Sequence, residues 1–299
     1  MTRRRGTRCC RGNRCRNRSR SGGEKEGRVR LLGLLIISLL PLAAELRTDI
    51  EFAKPGGVSL TLDAYVPEGK GPFPAVIIVH GGGWRNGTKT TYVPPLFEPL
   101  SKGGFAWFTI NYRLAPAHRF PAQADDVFEA IRWVKKHAAE YKVDVKRMAL
   151  IGESAGGHMV SYVGARGKGE TAVAAVIPFY GPHDLAARAR KLGAIGENVE
   201  RLLDINAPGP EAEEKMRAAS PITYVHKGMP PYLMIHGTED KAVPYDQSPL
   251  MCAKMKEAGA RCEVFTVEGA PHGIGGWEKN PAFQKYKEKM VEWLRQTLK

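Results

Sequence analysis

The stretch MALIGESAGGHMVSYVGA, residues 148–165, decides the fold. Residues 148–151 are an apolar run of strand length, and residues 155–165 read as a helix. Between them stands Gly152-Glu153-Ser154-Ala155-Gly156, a G-x-S-x-G. A tight strand-to-helix turn strains its central residue, and the flanking glycines leave room for it. The hydroxyl of Ser154 then projects above the carboxyl edge of a sheet. That setting reads as a nucleophile, whereas the same string in an isolated loop would be an ordinary serine.

Outward from this turn, strand and helix patterns alternate. Strands are expected over 59–66, 75–79, 105–111, 148–151, 172–179, 231–236 and 262–267. Helices are expected over 121–138, 155–165 and 247–258, with a final helix opened by Asn280-Pro281. Such alternation predicts an α/β domain with a mostly parallel sheet covered on both faces. Residues 183–219 are charged and helical, and read as a short insertion between two strands rather than a large lid.

A serine hydroxyl needs a base, and the base needs an orienting carboxylate. Strand 231–236 ends in His236-Gly237-Thr238-Glu239-Asp240, and strand 262–267 ends in Glu268-Gly269-Ala270-Pro271-His272. Both loops leave the sheet at the edge that carries Ser154. Asp240 is therefore expected as the acid and His272 as the general base, with Glu239 as the competing acid. His80-Gly81-Gly82-Gly83-Trp84 follows the buried strand 75–79. Glycine lets backbone N–H groups approach a substrate oxygen closely, so Gly82 and Gly83, with Ala155, are the expected oxyanion-hole donors. A phosphate loop is excluded, because neither G-K-[ST] nor the G-x-G-x-x-G spacing is present. His80, His158 and His236 are assigned packing or local hydrogen bonds. No His/Cys/Asp grouping has metal-ligand spacing, so no metal or cofactor is expected. Asp125 and Asp126 are expected to cap the helical stretch 127–138, and Arg113 to anchor the loop after its strand.

With these residues in hand, the chain resembles the α/β-hydrolases. Within them it is similar to the HGGG-bearing esterases of the hormone-sensitive-lipase group, and closer to the bacterial feruloyl and acetylxylan esterase-like members. The matching stretches are HGGGW (80–84), NYRLAP with RFPA (111–116 and 119–122), GESAGG (152–157), FYGPHDL (179–185), HGTEDKAVPY (236–245) and APHG (270–273). Ala117 stands where the lipase-like group usually has Glu, and Glu153 where it commonly has Asp. Both departures point to the feruloyl/acetyl side. The resemblance implies hydrolysis of carboxylic esters through an acyl-serine, without a cofactor, on small-molecule or carbohydrate-linked substrates. Trp84, Tyr180, Ile274 and Trp277 are expected to wall the substrate pocket. An arylformamidase or other amide hydrolase on the same fold is the alternative. A prolyl-oligopeptidase-type peptidase would bring a propeller, for which the chain has no space.

The 299 residues carry a formal charge of +14. Residues 1–30 hold 12 of the 45 Lys/Arg and two of the 31 Asp/Glu, so most of the basicity lies in an N-terminal tail and the body gives no signal for nucleic acid. Residues 31–44, LLGLLIISLLPLAA, are uncharged, preceded by Arg28 and Arg30 and followed by Glu45. This run is too short to span a bilayer comfortably and has the layout of a secretory signal, with cleavage expected near Ala44 and export to the periplasm or medium. The segment from Val29 is a complete signal by itself, so translation is expected to begin there. The chain thus divides into an extension with signal (1–44) and one catalytic domain (45–299). Of the five cysteines, Cys9, Cys10 and Cys15 fall in the tail. Cys252 and Cys262 are either joined or two buried free thiols, and the sequence leaves both open.

Overall fold

The computed structural model describes residues 43–299. The expectations for the basic tail, its cysteines, the translation start and most of the signal-like run lie outside the described residues. Among the described residues no helix is long and apolar enough to cross a membrane.

Eight strands form one sheet: β1 (Glu45–Ala53), β2 (Leu60–Val66), β3 (Phe73–Val79), β4 (Ala106–Ile110), β5 (Val143–Glu153), β6 (Ala175–Phe179), β7 (Tyr232–Gly237) and β8 (Cys262–Val267). Their order is β1-β2-β4-β3-β5-β6-β7-β8. The β1–β2 and β2–β4 pairs are antiparallel, and all the others are parallel. The helices are α1 (Phe97–Lys102), α2 (Ala122–Lys136), α3 (Ala155–Arg166), α4 (Leu185–Leu192), α5 (Glu197–Leu203), α6 (Pro210–Ala219), α7 (Gln247–Glu257), α8 (Ile274–Trp277) and α9 (Lys285–Thr297). This is the α/β-hydrolase arrangement, with three short helices, α4–α6, in place of a large lid.

The period of two along the strands sorts the core into two layers. Ile77, Val79, Phe108 and Leu150 pack with Val127 and Ile131 of α2 and Met159 and Val163 of α3. Val76, Ile78, Trp107 and Ile151 pack on the other face with Leu100 of α1 and Met290 and Leu294 of α9. Strands buried on both faces are continuously apolar, which is why AVIIV (75–79) shows no alternation.

After β3 the chain leaves to one side of the sheet to form β4, and β5 returns on the other side of β3. The loops leaving β3 and β5 are therefore neighbours at the carboxyl edge, a switch point where open α/β sheets leave a crevice. The loops after β7 and β8 emerge at the same edge.

Three local differences have clear causes, and one open alternative is decided. β1 carries no strand signal because it is an edge strand, exposed along most of its length. α2 begins at Ala122 with Pro121 at its N-cap, so Asp125 lies within the first turn and does not cap it, and nor does Asp126. Its buried carboxylate instead takes the backbone N–H, Nε and Nη2 of Arg113, the nearest at 2.7 Å, so Arg113 does anchor its loop. Asn280 does cap, accepting from Ala282 N–H at 3.0 Å, but the turn it opens is a 3-10 turn over Pro281–Phe283 that precedes α9. Cys252 on α7 and Cys262 at the start of β8 are joined as a disulfide, with their Cα atoms 5.4 Å apart.

Candidate active site

Ser154 stands between β5 and α3 with φ 53° and ψ −116°, outside the regions an ordinary residue occupies. The turn tolerates this because the backbone around it is close-packed. A Cβ on Gly156 would lie 2.0 Å from the carbonyl oxygen of Val79, at the end of β3. Ser154 N–H donates to Phe179 O at 3.0 Å, which ties the turn to β6. Ala155 is the first residue of α3, so its N–H has no partner within the helix and is available at the helix N-terminus.

The structure brings Ser154, His272 and Asp240 together across three loops. Ser154 Oγ lies 2.9 Å from His272 Nε2, and His272 Nδ1 lies 2.6 Å from Asp240 Oδ2. Asp240 is 6% exposed, and its other oxygen accepts from Ala242 N–H at 2.9 Å and Val243 N–H at 2.8 Å. Burial pushes this carboxyl up, but the bonds from His236 and His272 and the two backbone donors outweigh it and hold Asp240 well below the usual carboxylate range. It is therefore ionised and oriented by four groups before any substrate arrives. Glu239, the competing acid, is exposed and pairs with Lys241 at 3.0 Å.

Gly82 and Gly83 line the same cavity as Ser154 and Ala155. Gly82 has φ +102°, and a Cβ there would meet Asn86 O at 2.1 Å, so glycine alone fits. His80 holds the loop from below: Nδ1–H donates to Gly81 O at 2.7 Å, and its ring stacks on Tyr112 at 4.3 Å. Burial pushes His80 down to about 4, so it is neutral. His158 donates to Ala219 O at 2.8 Å, and His236 bonds Ser248 Oγ at 2.8 Å and Val243 O at 3.0 Å. His80 and His158 take packing and local hydrogen-bonding roles, and His236, with Nε2 3.5 Å from Asp240 Oδ2, also helps to hold that carboxylate.

The pocket wall differs from expectation. Trp84 lines the cavity, but Tyr180, Ile274 and Trp277 are fully buried in the core and do not. They support the His272 loop from behind. Tyr180 OH accepts from Ile274 N–H at 2.8 Å, its ring lies 4.7 Å from the His272 ring, and Trp277 Nε1–H donates to Pro271 O at 2.7 Å. Apolar residues beside a catalytic loop served the core here because β6, α8 and α9 close over them.

The opposite wall, which sequence reasoning missed, comes from Tyr92, from Arg188 on α4, and from Gly196 to Val199 at the start of α5. Arg85 binds Glu197 at 2.9 Å and Asn198 at 3.2 Å, holding α5 against the HGGG loop. No local motif marks these residues, because their place depends on how the 183–219 insertion folds back. The cavity they complete measures about 530 Å³. A serine backed by an imidazole and a carboxylate, facing a crevice lined by backbone N–H groups, can carry out acyl transfer.

The model of the BD-FAE family matches residues 62–255. The chain belongs to that family. BD-FAE membership agrees with the hormone-sensitive-lipase-like resemblance and with the observed fold. Among curated relatives, esterase LipQ of Mycobacterium tuberculosis is 31% identical over 260 residues, covering 80% of this chain and 60% of LipQ. The chain spans roughly half the length of the curated relatives it matches. Among solved structures, a truncated carbohydrate esterase from gut microbiota is 27% identical with a TM-score of 0.74, covering 86% of this chain and 97% of that one. Esterase 2 of Thermogutta terrifontis, solved with propionate bound, is 30% identical with a TM-score of 0.68, covering 85% and 94%.

Proposed function

We propose that this protein is a serine carboxylic ester hydrolase that acts through an acyl-serine on short-acyl or aromatic-acyl esters, including the acetyl or feruloyl esters of plant cell-wall polysaccharides. The observation that carries this reading is the continuous chain from Ser154 Oγ to His272 Nε2 (2.9 Å) and from His272 Nδ1 to Asp240 (2.6 Å). Asp240 accepts a hydrogen bond from His272 Nδ1–H, which fixes the tautomer and leaves Nε2 free to take the proton of Ser154. Ser154 Oγ attacks the ester carbon, and the carbonyl oxygen becomes an oxyanion that Gly82, Gly83 and Ala155 N–H stabilise. His272 then returns its proton to the departing alcohol, leaving acyl-Ser154. Water, deprotonated by His272, attacks that ester in turn, and His272 returns the proton to Ser154 Oγ as the acid leaves. Losing one oxyanion donor costs about 3–4 kcal/mol of barrier.

The substrate range rests on the short α4–α6 cover, the propionate held by the T. terrifontis esterase, and the carbohydrate esterase among the neighbours. Initial rates on acetyl, butyryl, octanoyl and feruloyl esters test it, with Ser154→Ala as the control. Faster acetyl, butyryl or feruloyl cleavage that the variant abolishes is expected. Fastest cleavage of octanoyl esters would overturn the size preference, and formamide cleavage without ester cleavage would overturn the reaction. Export with cleavage near Ala44 is part of the proposal, in keeping with a sheet that starts at Glu45. Amino-terminal sequencing of the mature protein checks it.

A further inference from the structure

Arg188 is the one Lys or Arg side chain among the described residues that line the cavity around Ser154. It is half-buried, and its guanidinium spans two walls of the site: Nη1 donates to Ile195 O at 3.3 Å and Nη2 to Ala242 O at 3.0 Å. Ala242 belongs to the loop that carries Asp240, and Ile195 precedes α5. Among the described residues no carboxylate forms an ion pair with Arg188. Asp240 is the nearest acidic influence, and its oxygens are committed to His272, Ala242 and Val243. Neither of the cavity's other carboxylates pairs with it: Glu197 binds Arg85, and Glu153 is buried beneath the HGGG loop with Oε1 unpartnered, where burial pushes its carboxyl up.

A partly desolvated guanidinium held only by two carbonyls keeps most of its five donors for something else. The cost of leaving a cation in such a place is recovered when an anion arrives, and the planar fork matches the two oxygens of a carboxylate. Resting on the ester-hydrolase reading above, we infer that Arg188 is a specificity-determining residue that binds a carboxylate carried by the substrate, so that the preferred esters are acidic ones. Either the acyl or the alcohol side of the scissile bond can carry it; the shared chemistry is a carboxylate within reach of the guanidinium.

Two isosteric pairs separate the sides. On the alcohol side, meta-acetoxybenzoate is compared with meta-acetoxybenzamide. On the acyl side, the mono-para-nitrophenyl ester of adipic acid is compared with that of adipic acid monoamide. In each pair only the charge differs. The wild-type protein is expected to favour the acid over the amide by kcat/KM at least about tenfold in one pair, and Arg188→Gln to lower that preference about 10–100-fold, chiefly through KM. Arg188→Lys keeps the charge without the fork and is expected to fall between, which preserves the test if the Gln variant does not fold. A wild-type preference near one in both pairs would overturn the inference. So would an Arg188→Gln variant in which acid and amide fall equally, since the arginine would then only tie the two loops together.

If wild type cleaves none of the four, the ester reading fails, and binding of meta-hydroxybenzoate to wild type and Arg188→Gln, followed by calorimetry, decides the anion site separately. Binding about tenfold or more weaker in the variant sustains the site, and equal or absent binding refutes it.

Discussion

Replacing Gly156 with alanine probes the packing that holds Ser154 in its strained turn. The new Cβ would sit 2.0 Å from Val79 O and 2.6 Å from His80 O. Both are backbone atoms, so no flexible side chain can give way. β3 is paired with β4 on one side and β5 on the other, which leaves Val79 little freedom. The displacement, on the order of 1 Å to reach a tolerable contact, therefore falls on the start of α3, and with it on Ser154 and the Ala155 N–H. A 1 Å misplacement of reacting groups costs about 100-fold in rate. Overpacking of this kind costs about 1–3 kcal/mol of stability. The variant is expected to lose about 100-fold in kcat on para-nitrophenyl acetate and to unfold at lower urea. Gly276→Ala, where nothing lies within 4 Å, is the control and is expected to change neither. Wild-type kcat and urea midpoint in Gly156→Ala would refute the claim that backbone packing against β3 sets the nucleophile.

Asp240→Asn is expected to lower kcat by about ten-thousand-fold with the fold retained, because an amide donor facing His272 Nδ1 forces the proton onto Nε2, where it blocks the serine; steady-state rates and circular dichroism check this. Burial pushes His80 and His158 down to about 4 and His183 to about 3. Each lies below the unfolded value of 6.5, so the unfolded chain binds more protons as pH falls, and stability present above pH 6.5 is lost toward pH 4. At pH 5 the loss is about 2 kcal/mol for each histidine, or about 6 kcal/mol together; urea unfolding at pH 7.5 and pH 5 measures it, and equal midpoints would contradict the burial of neutral imidazoles. Reducing the Cys252–Cys262 bond, which closes a separation of 10 residues, is expected to lower stability by about 2–3 kcal/mol while ester hydrolysis at 25 °C persists, since neither cysteine lines the cavity. Urea melts and rates with and without a phosphine reductant check both halves.

What was legible in the sequence was the part written as punctuation after apolar strands. Gly152 to Gly156, His80 to Trp84, Asp240 and His272 each follow a buried run, and a parallel sheet brings the carboxyl ends of such runs to one edge. β1 was not legible, because ELRTDIEFA lies at the sheet edge and buries little. Tyr180, Ile274 and Trp277 show the limit from the other side. Adjacency along the chain placed them near the site, but nothing local says whether a ring faces the cavity or the core. Arg188 and Tyr92 reach the cavity only through the folding-back of α4–α5 and the path of the loop after β3, which no short-range pattern encodes. The disulfide was undecidable for the same reason: spacing allowed it, and only the packing of α7 on β8 brings the sulfurs together.

In the proposed reaction Ser154 is the acyl acceptor, driven by His272 and Asp240. Mixing the protein with excess para-nitrophenyl acetate, following the first turnovers, and quenching in acid for mass spectrometry tests it most directly. An acetyl group is expected on the peptide containing Ser154 in the wild type, and neither adduct nor turnover above background in Ser154→Ala. Acetyl on another residue, or turnover surviving in Ser154→Ala, would contradict it.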